Sequence, residues 1–436
     1  MELRRRAEGR GLDVGSSLPE GTTSWVACLL KRDRRDAQMR QSPLAVGEKH
    51  SIFVDKGGRL LTCGRRPSQY ALLGHAEDPA ASPNVLRDIG PPTPVPSMQG
   101  RRIVSVAAGY AHCLALSAEG EVYSWGGGLY GALGQGDYDA RAVPSRIESL
   151  GRIEDITAGP NWTSAAVDED GRLFTWGRAT VRVGEENEDG ELEEFERPSG
   201  LGYELEAETE CQLSPKQVDV LSQDRVVGVA LGDGFTLAVT DAGAVFSFGF
   251  SRKGGLGHGS LESEVLPRRI EALAQTRQRF VAVAAGYCHA LALTEEDELY
   301  RWGDGDANGH GREERTPQRV AALIGQRIKL VYALDSVSCA VTEKGELFTW
   351  GYSNDYDLGH AGPLATPTRV VGLRGVEVAA VAICGTQTLA ADADGVVWAF
   401  GCCSALGLFA SVTVASVFVR TPTPIPALRV RVINSP

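Results

Sequence analysis

Apolar and small residues alternate over His289–Leu293, with His289, Leu291 and Leu293 on one side of the predicted strand. Glu295–Asp297 provide a polar turn, and Leu299–Trp302 continue as a second strand rich in large apolar and aromatic residues. Gly303 ends this strand, where a bulge or sharp exit needs a residue without a Cβ. The stretch therefore predicts a β-hairpin.

The same hairpin pattern recurs seven times along the chain. The copies end in W-G or a variant of it, and their last glycines are Gly64, Gly126, Gly177, Gly249, Gly303, Gly351 and Gly401. A period near fifty residues with one hairpin per unit indicates a radial array of repeats.

A second mark lies between the hairpins, namely a proline followed three residues later by Val or Ile. It occurs at Pro144, Pro215, Pro267, Pro317 and Pro367. Proline is tolerated in an edge strand, and a Val- or Ile-rich strand follows each mark, so we predict about four strands per unit.

The first hairpin lacks this mark at the usual distance, because Pro43 is only four residues ahead of Gly47. Thr421–Ile433 resemble the missing proline strand and the start of the next strand. We therefore expect the C-terminal residues to complete the first unit and to close a ring, which would remove exposed sheet edges.

One unit carries an acidic insertion, predicted at residues 178–214. Residues 185–210 hold twelve acids and one base, a net charge of −11, whereas the whole chain has −12. Such a run is usually a solvated, mobile loop, and its deletion is then expected to leave stability nearly intact. The functional alternative is a contact for a basic partner surface. The candidate contact residues are Glu185, Glu186, Asp189, Glu193, Glu194, Phe195 and Glu196.

Residues 1–40 lie outside the repeat and are predicted to be a flexible extension, with the repeat domain spanning 41–436. They hold nine Lys/Arg against six acids. This weak positive charge favours a solvated tail over an arm for nucleic acid, chromatin or nuclear import. No apolar run is long enough for a membrane span. None of the nine cysteines forms a C-x-x-C pair, so we expect reduced thiols in a cytoplasmic or nuclear protein.

The recurring G-x-x-H, W-G and L-G marks resemble the regulator of chromosome condensation (RCC-type) repeat over about residues 44–433. The L-G mark stands at Leu73, Leu133, Leu256, Leu358 and Leu406. The resemblance implies an all-β fold, a seven-bladed β-propeller, and a role as a protein-binding scaffold. Packing of blades face to face agrees with hairpins that are apolar or small on both faces.

Dedicated catalytic, cofactor and metal sites are not expected. All seven histidines fall in two repeat slots, after the first glycine of the hairpin or after the L-G mark. A residue fixed by repeat position is usually structural, and a metal or catalytic site needs several groups that converge. The chain has no P-loop and no G-x-S-x-G elbow.

The alternative function that the resemblance implies is guanine-nucleotide exchange on a small Ran-like GTPase. The exchange factor of this family inserts a wedge that follows the third W-G, and the acidic insertion here follows Trp176-Gly177, also the third copy. Three positions depart from that factor: Pro160 and Gly234 replace aspartates, and Val337, preceded by Leu334 where a glycine is expected, replaces a histidine. These departures argue against Ran exchange.

A photoreceptor with clustered tryptophans shares the repeat, but this chain lacks its G-W-R-H-T pattern. Trp125, Trp176, Trp302 and Trp350 occupy the W-G slot. Trp162, three residues after Gly159, is the single tryptophan predicted to occupy a histidine slot. Isolated buried aromatics are normally core residues, so light absorption is not favoured.

Overall fold

The computed structural model describes residues 42–47, 50–64, 72–75, 89–186, 192–205, 209–308, 311–352, 358–360, 364–384, 387–402 and 418–432. The predicted N-terminal extension and Asp189 lie outside these residues.

Within this part of the chain the strands form a seven-bladed β-propeller with four strands per blade, as predicted. From the axis outward, blade 1 contains β1 (Leu44–Val46), β2 (His50–Val54), β3 (Leu60–Gly64) and β4 (Ile89–Pro94); blade 2 contains β5 (Ile103–Ala108), β6 (His112–Ser117), β7 (Val122–Gly126) and β8 (Arg141–Arg146). Blade 3 contains β9 (Ile153–Ala158), β10 (Thr163–Asp168), β11 (Leu173–Arg178) and β14 (Cys211–Gln217); blade 4 contains β15 (Val226–Leu231), β16 (Phe235–Thr240), β17 (Val245–Gly249) and β18 (Glu264–Arg269); blade 5 contains β19 (Phe280–Ala285), β20 (His289–Thr294), β21 (Leu299–Gly303) and β22 (Glu314–Arg319). Blade 6 contains β23 (Ile328–Leu334), β24 (Val337–Thr342), β25 (Leu347–Gly351) and β26 (Leu364–Arg369); blade 7 contains β27 (Val378–Cys384), β28 (Gln387–Asp392), β29 (Val396–Cys402) and β30 (Phe418–Arg429).

Additional short elements connect or extend the blades. β12 (Thr180–Glu186) and β13 (Leu192–Pro198) form a separate antiparallel pair that interrupts blade 3. The residues that the structure describes include two α-helices of one turn each, α1 (Glu271–Ala274) and α2 (Gly305–Asn308). None of the helices in the described residues has the length and apolarity to cross a membrane.

The first strands of the seven blades surround a central cavity of about 240 Å³. Between each two neighbouring blades lies one hydrophobic cluster, which explains why both faces of every hairpin are apolar or small. The largest completely buried side chains are the four W-G tryptophans, Trp125, Trp176, Trp302 and Trp350. These side chains are therefore core residues, as predicted from their slot.

The W-G and L-G marks meet between blades. The indole N–H of Trp176 in blade 3 donates to the Ala132 carbonyl in blade 2 at 2.9 Å, directly before Leu133-Gly134. Gly134 has φ +68, and a Cβ built on it would lie 2.8 Å from Trp176 Nε1. Only glycine combines this backbone conformation with so close a contact to the indole. The glycine of the L-G mark therefore forms the surface on which the next blade's aromatic ring packs, and we call this surface the seat.

This seat gives a prediction for the tryptophans. Trp125, Trp176 and Trp302 donate to carbonyls of the preceding blade at 2.8–2.9 Å, whereas buried Trp350 Nε1 has no acceptor among the described residues. Replacing Trp125 by Phe is therefore expected to cost about 1 kcal/mol more than replacing Trp350 by Phe, since both changes remove similar volume but only the first breaks a hydrogen bond.

Urea unfolding of the two single variants measures this difference. Phe248 and Phe400 occupy the same slot in blades 4 and 7, so phenylalanine fits the seat. Equal losses of unfolding free energy in the two variants would show that the indole hydrogen bond contributes nothing.

The first and last described segments of the chain meet in blade 1, which confirms the predicted closure. Val430 forms an antiparallel bridge with Asp55, and the Arg431 N–H donates to the Val54 carbonyl at 2.9 Å. Val430 takes the place that Ile103 occupies in blade 2. The proline-rich strand β30 is the fourth strand of blade 7, so the C-terminal segment belongs to both blades.

Candidate partner-binding face

One face of the ring carries the features that distinguish this chain. In an up-and-down blade, the loops that join strands one and two and strands three and four open on the same face. We call it the insertion face, because the β12–β13 pair, which joins β11 to the rest of blade 3, emerges there. The loops after β5, β9, β15, β19 and β23 lie on the same face.

An aromatic cluster occupies the insertion face between blades 2 and 3. The Trp162 ring lies 6.0 Å from Tyr110 and 6.4 Å from Tyr130, centroid to centroid, and stacks on His112 at 6.3 Å. Tyr110 is 49% exposed, whereas Trp162 is 8% exposed. The Arg178 guanidinium lies 4.6 Å above the Tyr130 ring, which adds a cation–π contact.

The prediction that Trp162 stands in a histidine slot is wrong. Thr163 pairs with Gly177 as His112 pairs with Gly126, so Thr163 takes the histidine position. Trp162 is an extra residue with φ +59, a conformation that is costly for a bulky side chain. The loop is one residue longer than in blade 2, and the extra residue places the largely buried indole between Tyr110 and Tyr130.

A polar cluster continues the surface across blades 4 to 6. Arg252 Nη1 donates to the Tyr287 hydroxyl at 3.0 Å and lies 4.0 Å from an Asp233 carboxylate oxygen. The Tyr287 N–H donates to the Asp335 carbonyl at 2.6 Å. Burial raises the pKa of Asp233 above its usual range, and the charges of Arg252 and Arg178 oppose that shift. Burial also raises the pKa of Tyr287.

The acidic insertion is held against this face by its base. Val181 is buried, and its methyl carbons lie 3.3–3.4 Å from where a Cβ on Gly234 would stand. Gly234 has φ +81. An aspartate at this position, as in the exchange factor of the family, would meet both a strained backbone and the Val181 side chain. The Ser199 N–H donates to the Ala179 carbonyl at 2.9 Å and closes the base.

The insertion differs from the expected mobile loop. Residues 180–186 and 192–198 are paired strands, so that prediction is wrong for them. The alternation Thr180-Val181-Arg182-Val183 is typical of a strand and would have predicted one here. The prediction of a loop was based instead on the high number of acidic residues that follow.

The backbone register places most of the predicted contact residues on this hairpin. Glu185 lies opposite Glu193, Glu186 opposite Leu192, Gly184 opposite Glu194, Val183 opposite Phe195, and Arg182 opposite Glu196. Glu196 is exposed.

A sixth L-G mark, Leu201-Gly202, was not predicted, because the hairpin separates it from Gly177. The Thr175 hydroxyl donates to the Leu201 carbonyl at 2.6 Å, and a Cβ on Gly202 would lie 2.8 Å from the Phe248 ring. β14 then returns as the outer strand of blade 3. Deletion of residues 185–210 would therefore remove the Leu201-Gly202 contact with the Phe248 ring of blade 4. We expect this deletion to destabilise the ring.

The hairpin histidines lie between blades. His112 Nε2 is 2.9 Å from Ser164 Oγ, His289 Nε2 is 2.8 Å from Ser338 Oγ, and His50 Nε2 is 3.1 Å from Cys113 Sγ. All three imidazoles are completely buried. Burial lowers the pKa of His50 and His112 to about 4 and that of His289 to about 3, so these side chains are neutral packing residues.

Two histidines of the second slot contact hydroxyls within their own blades. His75 and His258 contact the hydroxyls of Thr62 and Ser247 at 3.2 and 2.9 Å. His310 lies outside the described residues. Among the residues that the structure describes, no group of three or more His, Cys, Asp or Glu could hold a metal ion.

The repeat pattern in the sequence did not predict the aromatic and polar clusters as a set. Their common signal is the residue that follows the first glycine of each hairpin, or its equivalent, which is Tyr110, Pro160, Asp233, Tyr287 and Asp335 in blades 2 to 6. Repeat comparison singled out individual departures at these positions but not their convergence around the axis.

Family models of the regulator of chromosome condensation (RCC1) repeat match the chain at residues 57–116, 119–166, 242–293 and 344–391, and a second model of this repeat at 103–132 and 280–312. The human E3 ubiquitin-protein ligase HERC2 is 35% identical over 81% of this chain, but the match spans 7% of HERC2. The Ultraviolet-B receptor UVR8 of Arabidopsis thaliana is 33% identical over 66% of this chain and 60% of its own length.

Solved structures show the same fold. Prp20p from Saccharomyces cerevisiae has a TM-score of 0.68 at 21% identity, covering 90% of this chain and 89% of its own. Human WBSCR16 has a TM-score of 0.67 at 20% identity, covering 84% of this chain and 93% of its own. With the seven hairpin repeats and the four-stranded blades, these matches establish that the chain belongs to the regulator of chromosome condensation (RCC1) repeat family.

Proposed function

We propose that the protein is a protein-binding propeller whose partner docks on the insertion face. The observation that carries this proposal is the group of aromatic and charged residues on this face, Tyr110, Arg178, Asp233 and Tyr287, with the largely buried Trp162 packed beside Tyr110. Tyrosine, tryptophan and arginine are the residues that most often dominate binding energy at protein interfaces. Here they stand on loops fixed by a rigid ring, which lowers the entropy lost on binding.

The test is quantitative affinity capture with the wild-type ring and a Trp162→Ala, Tyr287→Ala variant. We expect the variant to lose the specifically captured partner, with at least a tenfold weaker affinity once that partner is purified. The matched control is Ile324→Ser, Val371→Ser, since these exposed apolar residues follow outer strands on the opposite face. Loss of the partner in the control alone would place the interface on that opposite face.

A second candidate function is guanine-nucleotide exchange on a small Ran-like GTPase. It is supported by the β12–β13 hairpin, which follows the third W-G at the position of the wedge in the exchange factor of the family. Prp20p has been studied for binding to Gsp1p and histones, but its likeness to this chain concerns the fold alone. Gly234 and Val181 disfavour the aspartate that this factor carries there.

Release of a fluorescent guanine nucleotide from a Ran-type GTPase separates the two functions. We expect no acceleration at micromolar propeller. Acceleration that disappears when residues 185–193 are replaced by Asn-Gly, a turn that fits a two-residue hairpin, would establish exchange by the hairpin. This shortened variant keeps Val181 and Leu201, so its stability should match the wild type.

We also propose a cytoplasmic or nuclear location. Cys63, Cys113, Cys211, Cys288, Cys339 and Cys384 are buried thiols that form no disulfide, which suits a reducing compartment. Fractionation of cells that express the tagged full chain tests this location.

A further inference from the structure

A groove opens beside the base of the acidic hairpin, away from the ring axis. It has a cavity volume of about 460 Å³, enough for a few side chains. Glu196 and Pro198 of the hairpin form one wall, Leu205 and Glu210 form a second, and Val265 on the outer strand of blade 4 forms the third. The groove therefore joins the insertion to the neighbouring blade and is separate from the aromatic and polar clusters.

The blade 4 wall is unusually apolar for an outer strand. Val265 and Leu266, directly before Pro267, are each 42% exposed. In blade 5, Arg315 and Thr316 take the equivalent places before the proline. β18 is the last strand of its sheet, so its outer edge has no neighbouring strand in the blade. An apolar edge strand beside a groove suits an extended peptide that places alternate side chains against it.

The other two walls set the charge of the occupant. Glu196 and Glu210 both line the groove and are exposed. Half-buried Arg197, the single base in the acidic stretch of residues 185–210, lines the groove as well. The net charge of −11 on that stretch attracts positive charge and repels acidic segments.

We propose that this groove binds an extended segment of a partner protein in which apolar residues are flanked by lysine or arginine. The apolar side chains pack on Val265 in the groove and on the exposed Leu266 next to it along the edge of β18, and the cations face Glu196 and Glu210. This inference rests on the proposed protein-binding function but adds a second docking site, which determines the chemistry of the segment that the partner presents.

Selection from a phage library of random twelve-residue peptides on the full-length protein tests the proposal. We expect enriched peptides with an apolar pair flanked by Lys or Arg, bound at micromolar Kd in fluorescence polarisation. The Val265→Ser, Leu266→Ser variant and the Glu196→Gln, Glu210→Gln variant should each bind at least tenfold more weakly. Glu148→Gln, an exposed carboxylate in blade 2, is the matched charge control and should bind normally.

The outcomes separate this groove from the proposed function. Enrichment of acidic peptides, no enrichment, or enriched peptides that bind both double variants as tightly as wild type would overturn the groove assignment. The Trp162→Ala, Tyr287→Ala variant should still bind the basic peptide. If that variant loses the purified partner while the groove variants do not, protein binding at the insertion face stands and the groove proposal fails.

Discussion

Truncation of the chain after Arg420 is expected to abolish cooperative folding of the ring or to lower its melting temperature severely. The removed segment contains Ile425, Leu428 and Val430, which are 3%, 6% and 0% exposed. Burial of each such side chain contributes roughly 2 kcal/mol, so their loss alone approaches the whole stability of an ordinary domain. The truncation also leaves blade 7 without most of its fourth strand and blade 1 without its bridge to Val430.

Single variants separate ring closure from loss of the outer strand. Val430→Ala keeps β30 but opens a cavity where Val430 packs against blade 1, and we expect a cost of about 2 kcal/mol. Val371→Ala is the matched control, because Val371 is 68% exposed and should change stability by under ~0.5 kcal/mol. Urea unfolding measures both. Equal, small effects at the two valines would show that the C-terminal bridge does not hold the ring closed.

The repeat made the fold predictable from the sequence. Each copy repeats the same local signals, and each signal has one physical cause, such as the glycine at Gly134 that seats the ring of Trp176. Seven agreeing copies reduce the ambiguity that a single hairpin leaves between sandwich, barrel and propeller. The closure was predictable too, because the first unit lacked a part that the last residues supplied.

The candidate site was harder to predict, because it lies where copies differ. One inserted residue, Trp162, shifted the local alignment and hid Thr163 in the histidine slot. The hairpin hid Leu201-Gly202 by separating it from its W-G partner, and net charge obscured the strand alternation around Val181. Convergence of loop residues from five blades depends on the ring geometry, which no local pattern contains.

The buried histidines predict a steep loss of stability in mild acid. The Ser164 hydroxyl donates to the Ala132 carbonyl at 2.9 Å, so it accepts from His112 Nε2–H. This arrangement fixes the neutral tautomer and leaves Nδ1 to take any added proton. Nδ1 of His50, His112 and His289 is buried without a hydrogen-bond partner among the described residues, so a protonated ring would bury an unpaired N–H and a charge.

The direction of the pH dependence follows from linkage. The folded-state pKa values, about 4 for His50 and His112 and about 3 for His289, lie below the value of 6.5 for an unfolded chain. Their stabilising contribution is complete above pH 6.5 and is lost as pH falls, because the unfolded chain then binds protons that the ring excludes. Each histidine loses roughly 1.4 kcal/mol per pH unit, so the three together remove about 4 kcal/mol per unit below pH 6.

Urea unfolding of the full chain between pH 7.5 and 4.5 measures this slope. Replacing His289 by Gln, the residue that blade 7 carries at Gln387, should reduce the acid-dependent loss by about a third while removing the titrating group. His258→Gln is the matched control, because this half-buried imidazole already contacts Ser247 within its own blade and should change the slope less. An unchanged slope in a His112→Gln, His289→Gln double variant would mean that other groups govern acid unfolding. A reduced slope would show that the imidazoles which join neighbouring blades also limit the pH range over which the ring, and with it the insertion face, stays assembled.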